Sequence, residues 1–371
     1  MIKVNKKIFI HFDYVLPILL LPLIFTSYYL VKELHPILAH KQLVYFSIGF
    51  LIFLFFFLFP IKRLLWLVPL FYWLNVLLLL SVKLFGVTKL GAKRWLEIPF
   101  THFTIQPSEI MKPALILMLL YLVKKYRPEN EKFYNFKEFL RLSIYILIPF
   151  ILIAKEPDLG TAMMILIVGF GTLFVIGVDW KIWAGIVVLV TISAPFLYNN
   201  LHDYQKKRIN DFLNKPSYHV KQAIIAIGSG GKYGQSKEEA TQSHLKFLPI
   251  STSDFIFSFF MERFGFVGGV LLIGLYFLII LHLLMMVIYS KGEYLIQIVS
   301  SALAFLFFVH MGVNIAMNIG YAPVVGIPLP LMSYGGTSFM TIMIIIGIYE
   351  NLVTFRHDDL YESINYEGEE K

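Results

Sequence analysis

The chain has 371 residues, of which 58% are hydrophobic and only 15% are charged, and its mean hydropathy is +0.71. One soluble core cannot bury so much apolar surface, so lipid must be the solvent of most side chains. The absence of cysteine excludes disulfides, thiolate zinc sites and cysteine nucleophiles. The net charge of +8 is explained by Lys and Arg beside membrane spans, and without a basic soluble domain it gives no support to nucleic-acid binding.

The hydrophobic runs predict an all-α polytopic membrane protein with about ten transmembrane helices. Lipid offers no partner to unpaired backbone groups, and runs of about 18 to 25 residues are long enough to cross the hydrocarbon as helices. The first run follows a basic segment and resembles a secretory signal, but its length and the lack of a small-x-small cleavage site favour a retained span. The runs lie near 14–31, 42–59, 64–85, 107–123, 139–154, 159–178, 181–199, 264–289, 294–319 and 336–355.

The basic residues predict that both termini are cytoplasmic. Lys and Arg are more frequent in the segments that would then lie inside, although the loop at about 200–253 is also basic and would lie outside. We therefore expect a single transmembrane domain over 1–371, a long extracytoplasmic loop at about 200–253 between helices 7 and 8, and a cytoplasmic tail at about 356–371.

The stretch "IQPSEIMKPALIL" places two ionisable side chains, Glu109 and Lys112, at the start of the fourth span. Their spacing puts both on one face of a helix, within reach of each other. The pair is either an interfacial ion pair that fixes the entry of the span or the wall of a water-filled cavity.

Two aspartates precede later spans on the same predicted side of the membrane. Asp158 lies before the sixth span and Asp254 before the eighth, and each is either a helix N-cap or part of one cluster with Glu109 and Lys112. Asp254 also ends the long loop, and partial desolvation there would give it the basicity of a general base.

Three further features allow either a structural or a functional interpretation. Prolines and glycines interrupt the pattern over 314–338, as a tight turn or as the lining of a cavity. His310 is a helix-contact histidine or a proton carrier, and Trp95 is an interfacial belt residue or part of a site.

Seven motifs in order resemble the SEDS family (shape, elongation, division and sporulation) across nearly the whole chain. They are "RWLEI" at 94–98, "QPSEIMKPALIL" at 106–117, "EPDLGTA" at 156–162, "YQKKRINDFL" at 204–213, "AIGSGG" at 226–231, "FLP…SDFIFSFFMERFGFVGG" at 247–269 and "GIPLPLMSYGGTS" at 326–338. The departures are Ile250, Thr252, Arg263 and "GQSKEE", each of which differs from what is common in the family.

The resemblance implies a peptidoglycan glycosyltransferase of the cytoplasmic (inner) membrane, active on the periplasmic face and belonging to the elongation branch of the family. Its substrate would be lipid II, and its partners a class B penicillin-binding protein and other membrane proteins of the elongation complex. By motif, Asp254 matches the essential aspartate. The substrate-binding or cavity positions are Glu109, Lys112, Asp158, Arg94, Trp95, Arg208, Ser333, Gly335 and Gly336.

In the expected reaction Asp254 is the general base of an inverting transfer that releases undecaprenyl pyrophosphate. Arg94, Lys112 and Arg208 are the cations available to the leaving group. No metal ligands are assigned, although a divalent cation (Mg or Mn) could assist. Lys112 could instead be held in a triad by Glu109 and Asp158.

Three other functions stay open at this stage. They are a lipid II flippase, a division-type polymerase, and a scaffold that only recruits a penicillin-binding protein. The groups of interest lie on one membrane face rather than at the midplane, where transporter sites usually lie.

Overall fold

The structure is a computed structural model, in which residues 11–89, 92–97, 104–126, 134–156, 158–199, 206, 210, 212, 217–245, 247–248 and 250–356 are described. Ten long helices run through this part of the chain. They are α1 (Val15–Leu34), α2 (Pro36–Leu58), α3 (Val68–Phe85), α4 (Pro107–Tyr126), α5 (Phe136–Ala154), α6 (Leu159–Ile176), α7 (Trp180–Asn199), α8 (Ile256–Tyr289), α9 (Tyr294–Asn318) and α10 (Gly336–Thr354). A short helix, Ile61–Leu64, and a 3₁₀ turn, Leu65–Leu67, lead into α3.

Each predicted hydrophobic run coincides with one of these helices, so the chain is a helical polytopic membrane protein. Within the described residues, seven helices are long and apolar enough to cross a membrane. The other three are α4, α5 and α7, and α7 has a shorter apolar stretch at Trp180–Phe196. The count of ten spans stays a prediction.

The expectation of helices alone needs one correction, in the connection between α3 and α4. This segment forms a small antiparallel sheet of β1 (Val87–Lys89), β2 (Ala92–Glu97) and β3 (Thr104–Ile105). The segment lies outside the helices that cross the membrane, so its backbone is free to pair between strands rather than within a helix. The sheet positions Arg94 and Trp95 beside the start of α4.

The centre of the bundle is formed by α9 and α10, because their apolar stretches are 67% and 72% buried, whereas that of α2 is 17% buried. α9 packs against α6 and α8, and α10 packs against α2. Buried polar side chains tie distant segments to these central helices. Tyr276 in α8 donates a hydrogen bond to the carbonyl of Pro330 over 2.6 Å, and Asn351 in α10 donates to the carbonyls of Phe57 and Phe59.

The loop before α8 docks onto a break in that helix. Gly265 has φ 64° and ψ −166°, which interrupts the helical hydrogen bonds. The freed amides of Phe266 and Val267 donate instead to the carbonyls of Gly231 and Lys232, at 2.9 and 3.1 Å. A Cβ on Gly265 would lie 2.3 Å from the amide nitrogen of Gly234, so only glycine permits this approach.

The same region explains one departure from the family pattern. Arg263 donates through Nε to Oε1 of Glu33 in α1, over 2.6 Å. Its fully buried neighbour Glu262 accepts from the amides of Gln242 and Ser243 at 2.9 and 3.2 Å, which caps the short loop helix Thr241–His244. The charges next to the break therefore fix the loop that ends at the candidate site.

Candidate functional site

A cavity of about 600 Å³, lined by both charged and apolar side chains, lies at the end of the bundle where α4, α6, α8 and α10 begin. Helix N-termini carry a partial positive charge, so four helices direct their positive ends toward this space. Among the residues that line it are seven from the sequence prediction: Arg94, Trp95, Glu109, Lys112, Asp158, Asp254 and Gly335. The structure therefore brings together charges that are up to 160 positions apart in the sequence.

The backbone of Asp254 is held by two amide side chains from α9. Asn314 and Asn318 both donate through Nδ2 to the carbonyl of Asp254, at 3.0 and 3.1 Å. Asn318 is itself fixed, because its Oδ1 accepts from the amide of Ser258 in α8, at 3.1 Å. These two buried asparagines set the position of the turn from which the carboxylate enters the cavity.

A second set of contacts ties this turn to the connection between α9 and α10. Ser333 donates through Oγ to the carbonyl of Ser253 over 2.7 Å, and the amide of Tyr334 donates to the carbonyl of Thr252 over 2.8 Å. On the cavity side, a Cβ on Gly326 would lie 3.6 Å from Oδ2 of Asp254. The interrupted segment thus supports the turn on one side and faces the carboxylate on the other.

The environment of Asp254 favours its neutral form more than water does. Burial raises the pKa of the Asp254 carboxyl above its usual value, and a hydrogen bond with Ser253 and the nearby His219 oppose this shift only in part. A carboxylate with a raised pKa is a stronger base when it is ionised. The site therefore tunes this side chain in the direction that proton abstraction requires.

The other charges in the cavity form two ion pairs, not the triad that was considered from the sequence. Lys112 Nζ lies 2.7 Å from Glu109 Oε1, and Arg94 Nη1 lies 3.5 Å from Asp158 Oδ1. Asp158 also accepts from Gln106 Nε2 at 3.0 Å and from the amide of Thr161 at 3.3 Å. Asp158 is therefore both a helix cap and a cavity residue, which unites the two interpretations of its position.

Two histidines that the sequence analysis did not assign to the cavity also line its wall. His310 is buried, its Nδ1 lies 2.9 Å from the carbonyl of Pro328, and its Nε2 has no hydrogen-bond partner among the described residues. His219 enters from the loop helix Tyr218–Ser229 and stacks near Phe255. Its place depends on how the loop docks on α8, for which no local sequence pattern exists.

Two of the predicted residues that the structure describes, Ser333 and Gly336, do not line the cavity. Ser333 lies behind it, where its hydroxyl holds the Asp254 turn and accepts from the amide of Leu329 over 2.8 Å. Gly336 begins α10 against the ring of Tyr45, where a Cβ would come within 2.8 Å of that ring. Arg208 lies outside the described residues.

No group of three or more His, Asp and Glu side chains among the described residues is arranged to hold a metal ion. In the cavity, the carboxylates of Glu109 and Asp158 are paired with Lys112 and Arg94.

Comparison with known proteins identifies the relatives of this chain. A family model described as cell cycle protein (FtsW, RodA, SpoVE) matches residues 7–358. The peptidoglycan glycosyltransferase MrdB of Helicobacter pylori strain 26695 is 49% identical over 360 residues, which cover 97% of this chain and 94% of the relative. The protein of the same name from Escherichia coli K12 is 37% identical over 296 residues, or 78% of each chain.

Solved structures agree in fold. A chain from a study of how a peptidoglycan synthase complex coordinates polymerization and crosslinking superposes with a TM-score of 0.80, at 24% identity over 95% of this chain and 99% of that one. The crystal structure of the rod shape determining protein RodA of Thermus thermophilus gives a TM-score of 0.70, at 25% identity over 93% and 98% of the two chains.

Proposed function

Because the chain belongs to the cell cycle protein family of FtsW, RodA and SpoVE, the SEDS family that its motifs indicate, we propose that it is a peptidoglycan glycosyltransferase that polymerises lipid II during cell elongation. Relatives that are 49% and 37% identical carry the name peptidoglycan glycosyltransferase, which supports this activity over transport or scaffolding. The product is a β-1,4 glycan strand, and undecaprenyl pyrophosphate is released.

The observation that carries the proposal is the convergence of Asp254 with two ion pairs, one of them buried, in one cavity at the bundle end. A scaffold has no need of a desolvated carboxylate in such a cavity. A transporter site usually lies near the midplane, where it is reached from both sides. A cavity at one boundary suits a substrate with a lipid tail in the bilayer and a sugar in water.

We place this cavity on the periplasmic face of the cytoplasmic membrane. The excess of Lys and Arg in the segments at the other end of the bundle supports cytoplasmic termini. With ten spans, the loop between α7 and α8 is then extracytoplasmic.

Asp254 acts as the general base. Its carboxylate accepts the proton of the acceptor sugar's 4-hydroxyl while that oxygen attacks the anomeric carbon of the donor. The new C–O bond forms as the bond to the pyrophosphate oxygen breaks, and the pyrophosphate leaves with the electron pair. A single displacement converts an α-linked donor into a β-linked product, and it needs no covalent enzyme intermediate.

Arg94 and Lys112 stabilise the charge that develops on the leaving pyrophosphate. Both are held in the cavity by carboxylates, Arg94 by Asp158 and Lys112 by Glu109, so little reorganisation is needed when the charge appears. The helix N-termini at the cavity add positive potential at the same end of the bundle.

The partner is a class B penicillin-binding protein, together with other membrane proteins of the elongation complex. Support comes from the fold match to a chain of a peptidoglycan synthase complex that is described as coordinating polymerization and crosslinking. Crosslinking is a separate reaction, which a partner with a transpeptidase domain would supply.

The deciding experiment incubates purified protein in detergent with lipid II, with and without the penicillin-binding protein. A transferase forms glycan polymer in detergent, where no second compartment exists. A second preparation places the protein in proteoliposomes with labelled lipid II. If the label crosses the membrane while no glycosidic bond forms in detergent or in proteoliposomes, the chain is a transporter.

A further inference from the structure

His219 lies on the wall of the candidate active site, and the reaction described above does not use it. Its side chain lines the cavity together with Asp254 and Phe255. The imidazole ring stacks against the ring of Phe255, with centroids 6.1 Å apart and planes inclined by 20°. Because Phe255 directly follows the proposed base in the chain, this contact holds a titratable ring beside the turn that carries Asp254.

The loop helix that carries His219, Tyr218–Ser229, is anchored at its start and along one face. Ser217 caps its first turn, since the hydroxyl of this serine accepts from the amide of Val220 over 3.5 Å. The buried apolar face of the helix packs against α8 and α9. The position of the imidazole in the cavity wall is therefore set by the fold.

The two histidines of the wall differ in their freedom to exchange a proton. His310 is buried, and its Nδ1 donates to the carbonyl of Pro328 over 2.9 Å, which fixes one proton on that nitrogen. In His219, Nδ1 has no hydrogen-bond partner among the described residues, and the side chain is only half-buried. The ring of His219 is thus accessible to water, and no contact at Nδ1 within the described part of the chain fixes its tautomer.

The reaction requires a group that can remove a proton from the base. In every transfer the Asp254 carboxylate takes a proton from the acceptor hydroxyl, and it must lose that proton before the next transfer. Burial raises the pKa of this carboxyl, so the carboxyl holds the proton more firmly than it would in water. The base therefore needs a proton acceptor that is itself in contact with water.

The other titratable groups of the wall do not suit this step. They are Arg94, Glu109, Lys112, Asp158, His310 and Tyr334. The two cations are donors only, the two carboxylates are paired with them, and a phenol keeps its own proton at neutral pH. Histidine is the side chain that ordinarily takes up and releases a proton near neutral pH. Of the two histidines, only the one on the loop helix is accessible to water.

From these observations we propose that His219 is the proton relay of the site, which takes the proton from Asp254 after each transfer and releases it to water. The inference rests on the proposed function, in which Asp254 is the base. The O–H bond on the carboxyl breaks as an N–H bond forms on the neutral imidazole. Loss of this proton to water returns both side chains to their starting states, so one proton leaves for each glycosidic bond formed.

The test is the kcat of lipid II polymerisation by the purified full chain with the penicillin-binding protein, in weak buffer with and without added imidazole. His219→Ala removes the relay and leaves space for a free imidazole molecule. Its kcat should fall at least about tenfold, with KM within about twofold of the parent, because water replaces a positioned proton acceptor. Added imidazole should restore most of the lost rate, and it should do so better as rising pH makes more of it neutral.

Two further variants separate a relay from a structural role. His219→Phe keeps a ring against Phe255 but fills the same space, so its kcat should be low and imidazole should not restore it. Lys221→Ala is the matched control, since Lys221 is exposed on the same helix and does not line the cavity, and its kcat should stay within about twofold of the parent.

The outcomes distinguish a failure of the relay from a failure of the proposed function. If the parent polymerises lipid II and His219→Ala does so at the parent rate, the relay alone is overturned. The same holds if imidazole changes the rates of both His219 variants equally, or changes neither. If the parent forms no polymer, the proposed function is contradicted, and the relay with it.

Discussion

The buried ion pair of α4 gives a prediction that can be worked out from the structure. Lys112 and Glu109 lie 2.7 Å apart, with only 7% and 8% of their side chains exposed. Glu109→Gln keeps the shape of the side chain but leaves the Lys112 charge without its partner. Removing one member of a buried pair costs about 3 to 5 kcal/mol, and since this pair lines a cavity that water can enter, we expect the lower end, about 3 kcal/mol.

The assay is the free energy of unfolding of purified protein, measured by denaturant titration in detergent. The double variant Glu109→Gln, Lys112→Met should recover most of the loss, because it removes the stranded charge as well. Glu138→Gln is the control, since Glu138 belongs to an exposed capping box of α5 and its loss should cost about 1 kcal/mol or less. If Glu109→Gln costs no more than the control, or if the double variant is no more stable than Glu109→Gln, the pair does not have the role assigned to it.

Further predictions concern the turn, the neighbouring carboxyl and the helix break. Asn318→Ala should lower kcat at least about tenfold because it releases the carbonyl of the proposed base. The control Asn351→Ala also frees backbone carbonyls but should leave kcat within about twofold of the parent. Equal kcat in both variants would contradict the role given to Asn318. Burial, with a nearby carboxylate, raises the pKa of Glu156 to about 8. In the unfolded chain this carboxyl ionises at about pH 4, so the folded state loses stability relative to the unfolded state as the pH rises from about 4 toward 8. The stability of Glu156→Gln relative to the parent should therefore grow over that range in thermal melts. Gly265→Ala should destabilise by at least about 1 to 3 kcal/mol, because of its positive φ and the closeness of the loop, while Gly274→Ala in the open part of the same helix should be neutral or slightly stabilising.

The sequence predicted the helices well because hydrophobic runs report directly on a lipid environment. It also identified the charges beside the spans, since an ionisable group at such a place needs a partner or water. The small sheet was missed, although the β-prone residues of "VTK" and "AKRWLE" flank a glycine that could have indicated a hairpin.

The contact between Glu109 and Lys112 follows from their spacing on one helix, but the partner of Asp158 could not be predicted. Whether Asp158 meets Lys112 or Arg94 depends on how α4, α6 and β2 cross, and no local pattern encodes that. The hydrogen bonds from Asn314 and Asn318 to the carbonyl of Asp254 depend likewise on how α9 packs against α8. The position of His219 in the cavity wall depends on how the loop packs against α8. Sequence reasoning thus identified candidate residues, and tertiary packing decided their partners.

The most direct test of the account is the rate of lipid II polymerisation by purified Asp254→Asn. This variant keeps the shape of the side chain and the backbone contacts of the turn, and it deletes only the basicity. A general base contributes about 10² to 10⁴ to the rate, so we expect a loss of at least about 100-fold in a protein that elutes and melts like the parent. Polymerisation by the folded variant at the parent rate would contradict the assignment of Asp254 as the base.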